Sequence, residues 1–215
     1  MSFRHLLGAL IGAAGVLAAS AAQADVIIDS STPGYYNDQL GDLQPLAGFP
    51  QPGTDPTVTA APEPDLSTVT NLGTWLGSAA PSGGTWSGAP QAIPSSWTVN
   101  TETAIVYVID AGAGGLANVQ VGIGVDNGIY VWLNGEYQFG AMAPGADSEN
   151  EYPFNLGSLP AGTHYLQVLR EDHGGRTGYS IRVSAERVAA VPVPGALALL
   201  GIGLAGLGWG LRRRS

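Results

Sequence analysis

The chain contains no cysteine and no lysine. The first absence excludes disulfide staples, thiol chemistry and cysteine-ligated zinc, so stability must come from a packed core. The second leaves arginine as the only strong side-chain cation. Between Asp25 and Val191 there are four arginines, Arg170, Arg176, Arg182 and Arg187, against all 17 acidic residues of the chain, a formal balance of −13. Such a surface repels polyanions, which excludes nucleic acid as a partner; it concentrates divalent cations instead. Catalytic signatures are also missing. There is no G-x-S-x-G elbow, no H-E-x-x-H pair and no phosphate loop, and the chain reads as a non-enzyme. Nothing between Asp25 and Val191 carries a helical apolar period of useful length.

What is present begins with two apolar ends. Arg4 and His5 precede an apolar run from Leu6 to Ala19, and Ala22-Gln23-Ala24 has the small-x-small form of a cleavage site. Residues 1–24 therefore read as a signal peptide removed by signal peptidase, leaving Asp25 first. At the other end, Gly195 to Leu211 is a 17-residue stretch without a charge. As a helix it reaches about 25 Å at ~1.5 Å per residue, near the thin end of what a bilayer core needs. Arg212, Arg213 and Arg214 follow, and because basic residues stay cytoplasmic, the chain before the span lies outside.

The order of Val191-Pro192-Val193-Pro194-Gly195, a Gly-rich span over 195–211 and the Arg212-Arg213-Arg214 cluster resembles the PEP-CTERM sorting tail, with valine where the name-giving glutamate stands. Such tails belong to Gram-negative bacteria that make extracellular polysaccharide. The resemblance implies transient anchoring in the membrane through the C-terminal helix, processing by an exosortase at or near the Pro signature, and a final place at the cell surface or in secreted matrix. The tail is taken as residues 188–215.

Ten of the 15 prolines fall between Pro33 and Pro94. Residues 25–96 are thus expected to form a Pro/Gly-rich N-terminal part of the sandwich, irregular loops around a few short strands that open with Val26-Ile27-Ile28. Tyr35-Tyr36-Asn37 reads as an aromatic plug at a sheet edge. Trp75, Trp86 and Trp97, 11 residues apart, suit successive short strands and turns. From Trp97 to Arg187 the pattern sharpens into a sandwich core. Thr103 to Ile109 is apolar on both parities, as in a strand covered on both faces. Ala117, Val119, Val121, Ile123 and Val125 alternate with polar or glycine positions, the period of a half-buried strand. Asp126-Asn127-Gly128 reads as a hairpin turn into Ile129–Leu133, Asn134-Gly135 as a second turn into Glu136–Met142. Thr163 to Arg170 and Tyr179 to Ser184 complete the set. The fold class is all-β, an antiparallel, jelly-roll-like β-sandwich between a signal peptide and a transmembrane helix.

The segments Val125-Asp126-Asn127-Gly128-Ile129-Tyr130-Val131-Trp132-Leu133-Asn134-Gly135, Leu159 to Val168 and Gly178 to Val183 resemble the core of galactose-binding-like and protective-antigen-like lectin sandwiches. That resemblance implies glycan binding, and calcium held in the first turn by Asp126 and Asn127. The polar cluster Arg170-Glu171-Asp172-His173-Gly174-Gly175-Arg176 offers acceptors, donors and a planar guanidinium fork for sugar hydroxyls, or a metal through Asp172 and His173. Alternatively it is a hairpin whose Arg and Asp satisfy neighbouring backbone. A shared ligand site of Asp126, Asn127, Asp172, His173 and Arg176 requires both loops at one end of the sheets, and hence a further strand near Tyr152 to Leu156. The function expected is a non-enzymatic surface protein of the extracellular polysaccharide or biofilm matrix that binds glycan. A purely structural matrix protein and a surface glycan hydrolase are the alternatives.

Overall fold

The alternating segments build two antiparallel sheets. The computed structural model describes residues 24–44, 46, 57–142 and 147–190; the expected signal peptide, the Pro signature, the span and the arginine cluster lie outside them, Ala24 excepted. One sheet has four strands: β1 (Ala24–Asp29), β9 (Gly178–Arg187), β4 (Leu116–Asp126) and β7 (Tyr152–Leu159), in that order. The other has five, ordered β2 (Tyr35–Gly41), β3 (Glu102–Asp110), β8 (Thr163–Glu171), β5 (Gly128–Leu133) and β6 (Glu136–Met142). The all-β sandwich and the additional strand over Tyr152–Leu156 are both present. Among the described residues no helix is long and apolar enough to cross a membrane.

The inner faces of the two sheets make the main core. Val119, Val121, Ile123 and Val125 meet Ile181 and Val183 of their own sheet and Ile105, Tyr107, Ile129, Val131 and Val168 of the other. The stripe of β4 starts at Val119 rather than at Ala117. A bulge shifts the register between Ala117 and Gln120, so Leu116 takes the buried position and Ala117 is half-buried.

The five-stranded sheet is buried on its outer face too, as the two-sided apolarity of β3 requires. Ala104, Val106, Tyr130, Trp132 and Leu169 point into a second cluster, covered by Leu40, Leu43, Ala61, Leu72 and Trp75. The Pro-rich segment is therefore a layer in its own right, and between residues 59 and 90 it forms no strand. The expectation that its tryptophans mark successive strands is corrected here. Proline removes ladder donors and fixes φ, so the segment packs its aromatics without pairing. Trp75 stacks on Trp86 at 5.9 Å between ring centroids and meets Trp132 edge-on at 5.2 Å.

Buried and half-buried side chains of the sheet hold this layer. Asn37 donates to Asn71 O at 2.8 Å and accepts from Thr85 Oγ1 at 3.0 Å. Trp132 Nε1 donates to Glu63 at 2.6 Å, and Tyr137 OH to Ala61 O at 2.7 Å.

The turn at Asn134 and Gly135 has φ of 52° and 83°, the positive values that Asn-Gly accommodates, and joins the paired strands β5 and β6. Asp126-Asn127-Gly128 differs from its expectation. β4 pairs with β7 and β9, β5 with β6 and β8, so this segment carries the chain from one sheet to the other and is not a hairpin. Neither Asn127 nor Gly128 has a positive φ.

The ends of the described chain lie together. Ala24 pairs with Glu186, and Arg187 closes β9, so the first and last strands are neighbours and these two ends lie at one end of the sandwich. Asp126 pairs with Gly178, the first residue of β9, which puts it at the opposite end.

Candidate functional site

At the end opposite Ala24 and Arg187, the last residue of β4, the first of β5, the first of β3 and the last of β8 converge. Gly128 pairs with Glu171, and Asn127 N–H donates to Glu171 O at 3.1 Å. The loop leaving β8 then folds inward. Asp172 Oδ2 accepts from Asn100 N–H at 2.7 Å and Oδ1 from Gly174 N–H at 3.3 Å, while His173 N–H donates to Asn127 Oδ1 at 3.2 Å. Asp126, Asn127, Asp172 and His173 thus meet at one end, as the strand count requires, and all four are buried. Arg176 stands apart. Its side chain is 74% exposed and pairs with Asp147 at 3.3 Å on the surface.

Around His173 lies a second set of carboxylates. Its Nε2 is 3.0 Å from Glu102 Oε1 and 3.3 Å from Glu171 Oε1, with both glutamates buried. Glu102 Oε2 accepts from Leu43 N–H at 2.6 Å, whereas Oε1 accepts no hydrogen bond among the described residues. Asp42, exposed in the segment after β2, completes the group: one ligand atom each from Asp42, Glu102 and His173 lies within 4.8 Å of the others. Gly128 belongs to the same construction, because a Cβ there would overlap the Glu171 carboxylate.

Burial and the nearby Asp42 and Asp172 charges push the Glu102 carboxyl up to about 8, against the lowering effect of the Leu43 N–H. Burial also raises Asp172, outweighing its two backbone donors.

Arg170 does not neutralise this group. It is fully buried, and its guanidinium donates to Thr103 Oγ1 at 2.8 Å, Pro94 O at 2.8 Å and Tyr36 OH at 3.1 Å. It also lies over the rings of Trp97 at 4.3 Å and Tyr179 at 4.7 Å. Among the described residues it forms no ion pair with a carboxylate. The Arg170–Arg176 cluster therefore divides into a packing cation, an inward-turned acid and imidazole, and a surface arginine. His164 is structural: Nε2–H donates to Pro160 O at 2.8 Å while Nδ1 accepts from Asn134 at 3.0 Å.

The outer layer carries a different feature. Residues 63–77 line an open groove of about 1000 Å³, with Glu63, Asp65, Ser67, Thr70 and Thr74 among its polar groups. No lysine or arginine lines it. Trp75 contributes to the lining but is itself buried.

Sequence reasoning missed Glu102 and Asp42 as members of the site. The readable signal was a glutamate opening a strand that is apolar on both faces, in a chain without lysine to pair it.

Residues 190–214 match the PEP-CTERM protein-sorting motif. No curated protein matches the chain. The tail marks this as an exported protein sorted by exosortase through a membrane-anchored intermediate.

Proposed function

We propose that the chain is a non-catalytic module of the extracellular polysaccharide matrix, and that it binds neutral glycans in the groove along residues 63–77. The groove is the observation that carries this reading: it is open, rich in hydroxyl and carboxylate acceptors, and free of cationic side chains. Sugar hydroxyls donate to such acceptors. Uronic acids and sulfated sugars meet repulsion there and from the −13 balance of the surrounding chain. The groups at the His173 end are buried and bonded to one another, which suits them to shape the loops rather than to face a polymer. Release from a sorting tail supports an extracellular working place.

A glycan array probed with the full-length chain in detergent, with and without calcium, tests the reading. The expected result is retention of neutral oligosaccharides and exclusion of acidic ones, with binding weakened about tenfold by Asp65→Lys or Thr74→Arg at the exposed rim. Absence of retention on every glycan contradicts it and leaves a purely structural matrix protein. Turnover of a bound glycan contradicts the non-catalytic part.

A further inference from the structure

The group around His173 is a buried, carboxylate-rich cluster in a chain that has little positive charge to offer it. Glu102 and Glu171 both direct an oxygen at one imidazole nitrogen, at 3.0 and 3.3 Å. The one arginine on the adjoining strand end is committed to Tyr36, Thr103, Pro94 and the aromatic rings. Glu102 Oε1 is buried, and no described donor meets it with hydrogen-bond geometry; it faces His173 Nε2 at 3.0 Å, in one group with the Asp42 carboxylate. An ionised carboxylate removed from water without compensation is costly, so such a group calls for a proton or a cation.

The spacing accommodates a cation. Ligand atoms bound tetrahedrally at about 2.0–2.2 Å from a zinc-like ion sit roughly 3.3–3.6 Å apart, close to the separations around His173 Nε2. The donor set, one imidazole with carboxylates and no thiolate, suits a borderline divalent transition metal rather than calcium, which takes six to eight oxygens. An entry route is also present. Asp42 is exposed and lines a surface depression of about 230 Å³ together with Leu43 and Thr70.

We propose that Asp42, Glu102 and His173, with Glu171 beside them, form a structural site for one zinc-class divalent ion. The ion would tie the segment after β2 to β3 and to the loop after β8, a cross-link in a chain that has no disulfide. This site is distinct from the glycan groove and does not rest on it. Asp126 and Asn127 are not among its ligands; Asn127 acts through its bond to the His173 backbone.

The test is zinc and cobalt binding by the full-length chain in detergent. After chelator treatment, one equivalent of zinc is expected to bind and to raise the unfolding temperature by several degrees. Cobalt is expected to give the visible d–d absorption of a low-coordinate site with nitrogen and oxygen ligands, and millimolar calcium is expected to leave that spectrum unchanged. His173→Gln and Glu102→Gln should each weaken zinc at least tenfold. Asp42→Asn, at an exposed position that cannot compromise the core, should weaken zinc while leaving the metal-free unfolding temperature unchanged. Failure of the wild-type chain to bind zinc or cobalt overturns the proposal, as does zinc binding by both Asp42→Asn and His173→Gln that equals that of wild type. Displacement of cobalt by calcium also overturns it.

Discussion

Arg170 should be irreplaceable by lysine, although lysine keeps the charge. Its guanidinium satisfies Thr103 Oγ1, Pro94 O and Tyr36 OH at once and lies over the rings of Trp97 and Tyr179. Desolvation weakens its hold on the proton, but among the described residues it has no carboxylate to compensate, so the acceptors and rings must do so. A charged hydrogen bond is worth about 1.5–3 kcal/mol, and a desolvated cation–π contact about 2 kcal/mol. An ammonium on a shorter, non-planar head reaches one or two of the acceptors and loses the stack. Losing one or two bonds and part of the ring contact gives a cost of about 3–4 kcal/mol for Arg170→Lys. In a domain of this size that is roughly 6–16 °C in unfolding temperature, at about 2–4 °C per kcal/mol. Thermal unfolding of the full-length chain followed by near-ultraviolet circular dichroism reads both the midpoint and the asymmetry of Trp97 and Tyr179. Arg170→Met should cost no more than Arg170→Lys, because it removes the buried charge while keeping volume. An Arg170→Lys midpoint within about 1 °C of wild type would refute the reasoning, since at ~2–4 °C per kcal/mol it implies that the acceptors and rings contribute little.

The outer layer should detach before the sandwich unfolds. Asn37→Ala removes buried bonds to Asn71 and Thr85, at a cost of about 2–3 kcal/mol for the two. Limited proteolysis should then cut between residues 57 and 100 well before the strands, and uniform cutting along the chain would count against a separate layer. At the crossing Asp126-Asn127 we expect calcium to bind weakly, in about the 10⁻⁴ to 10⁻³ M range of extracellular modules. Calorimetry should show that heat lost in Asp126→Ala, and an unchanged heat would remove Asp126 from the site.

Local pattern made the strands legible because side-chain parity is a local property. Tyr179, Ile181 and Val183 alternate in the sequence and are buried in the sheet, and the same holds for Ile129 and Val131. Pairing partners are set by contacts far apart in sequence, which is why Asp126-Asn127-Gly128 looked like a hairpin and proved to be a crossing between sheets. The outer layer was half legible: the two-sided apolarity of Thr103 to Ile109 required a cover, yet nothing local identified Leu72 and Trp75 as that cover. At the site, Asp126, Asn127, Asp172 and His173 were readable as short polar runs at turns. Asp42 and Glu102 were not, because they reach His173 only through the pairing of β2, β3 and β8.

Central to the proposed function is delivery of a folded sandwich to the outside by the sorting tail; Ala24 and Arg187 lie at one end of that sandwich and the His173 loops at the other. Peptide mass spectrometry of the protein recovered from the extracellular polysaccharide of its native host tests this directly. Peptides from Asp25 to about Arg187 are expected there, starting at Asp25, with no peptide extending through Arg212. Recovery of most molecules from the cell membrane with the peptide through Arg212 intact would contradict the account.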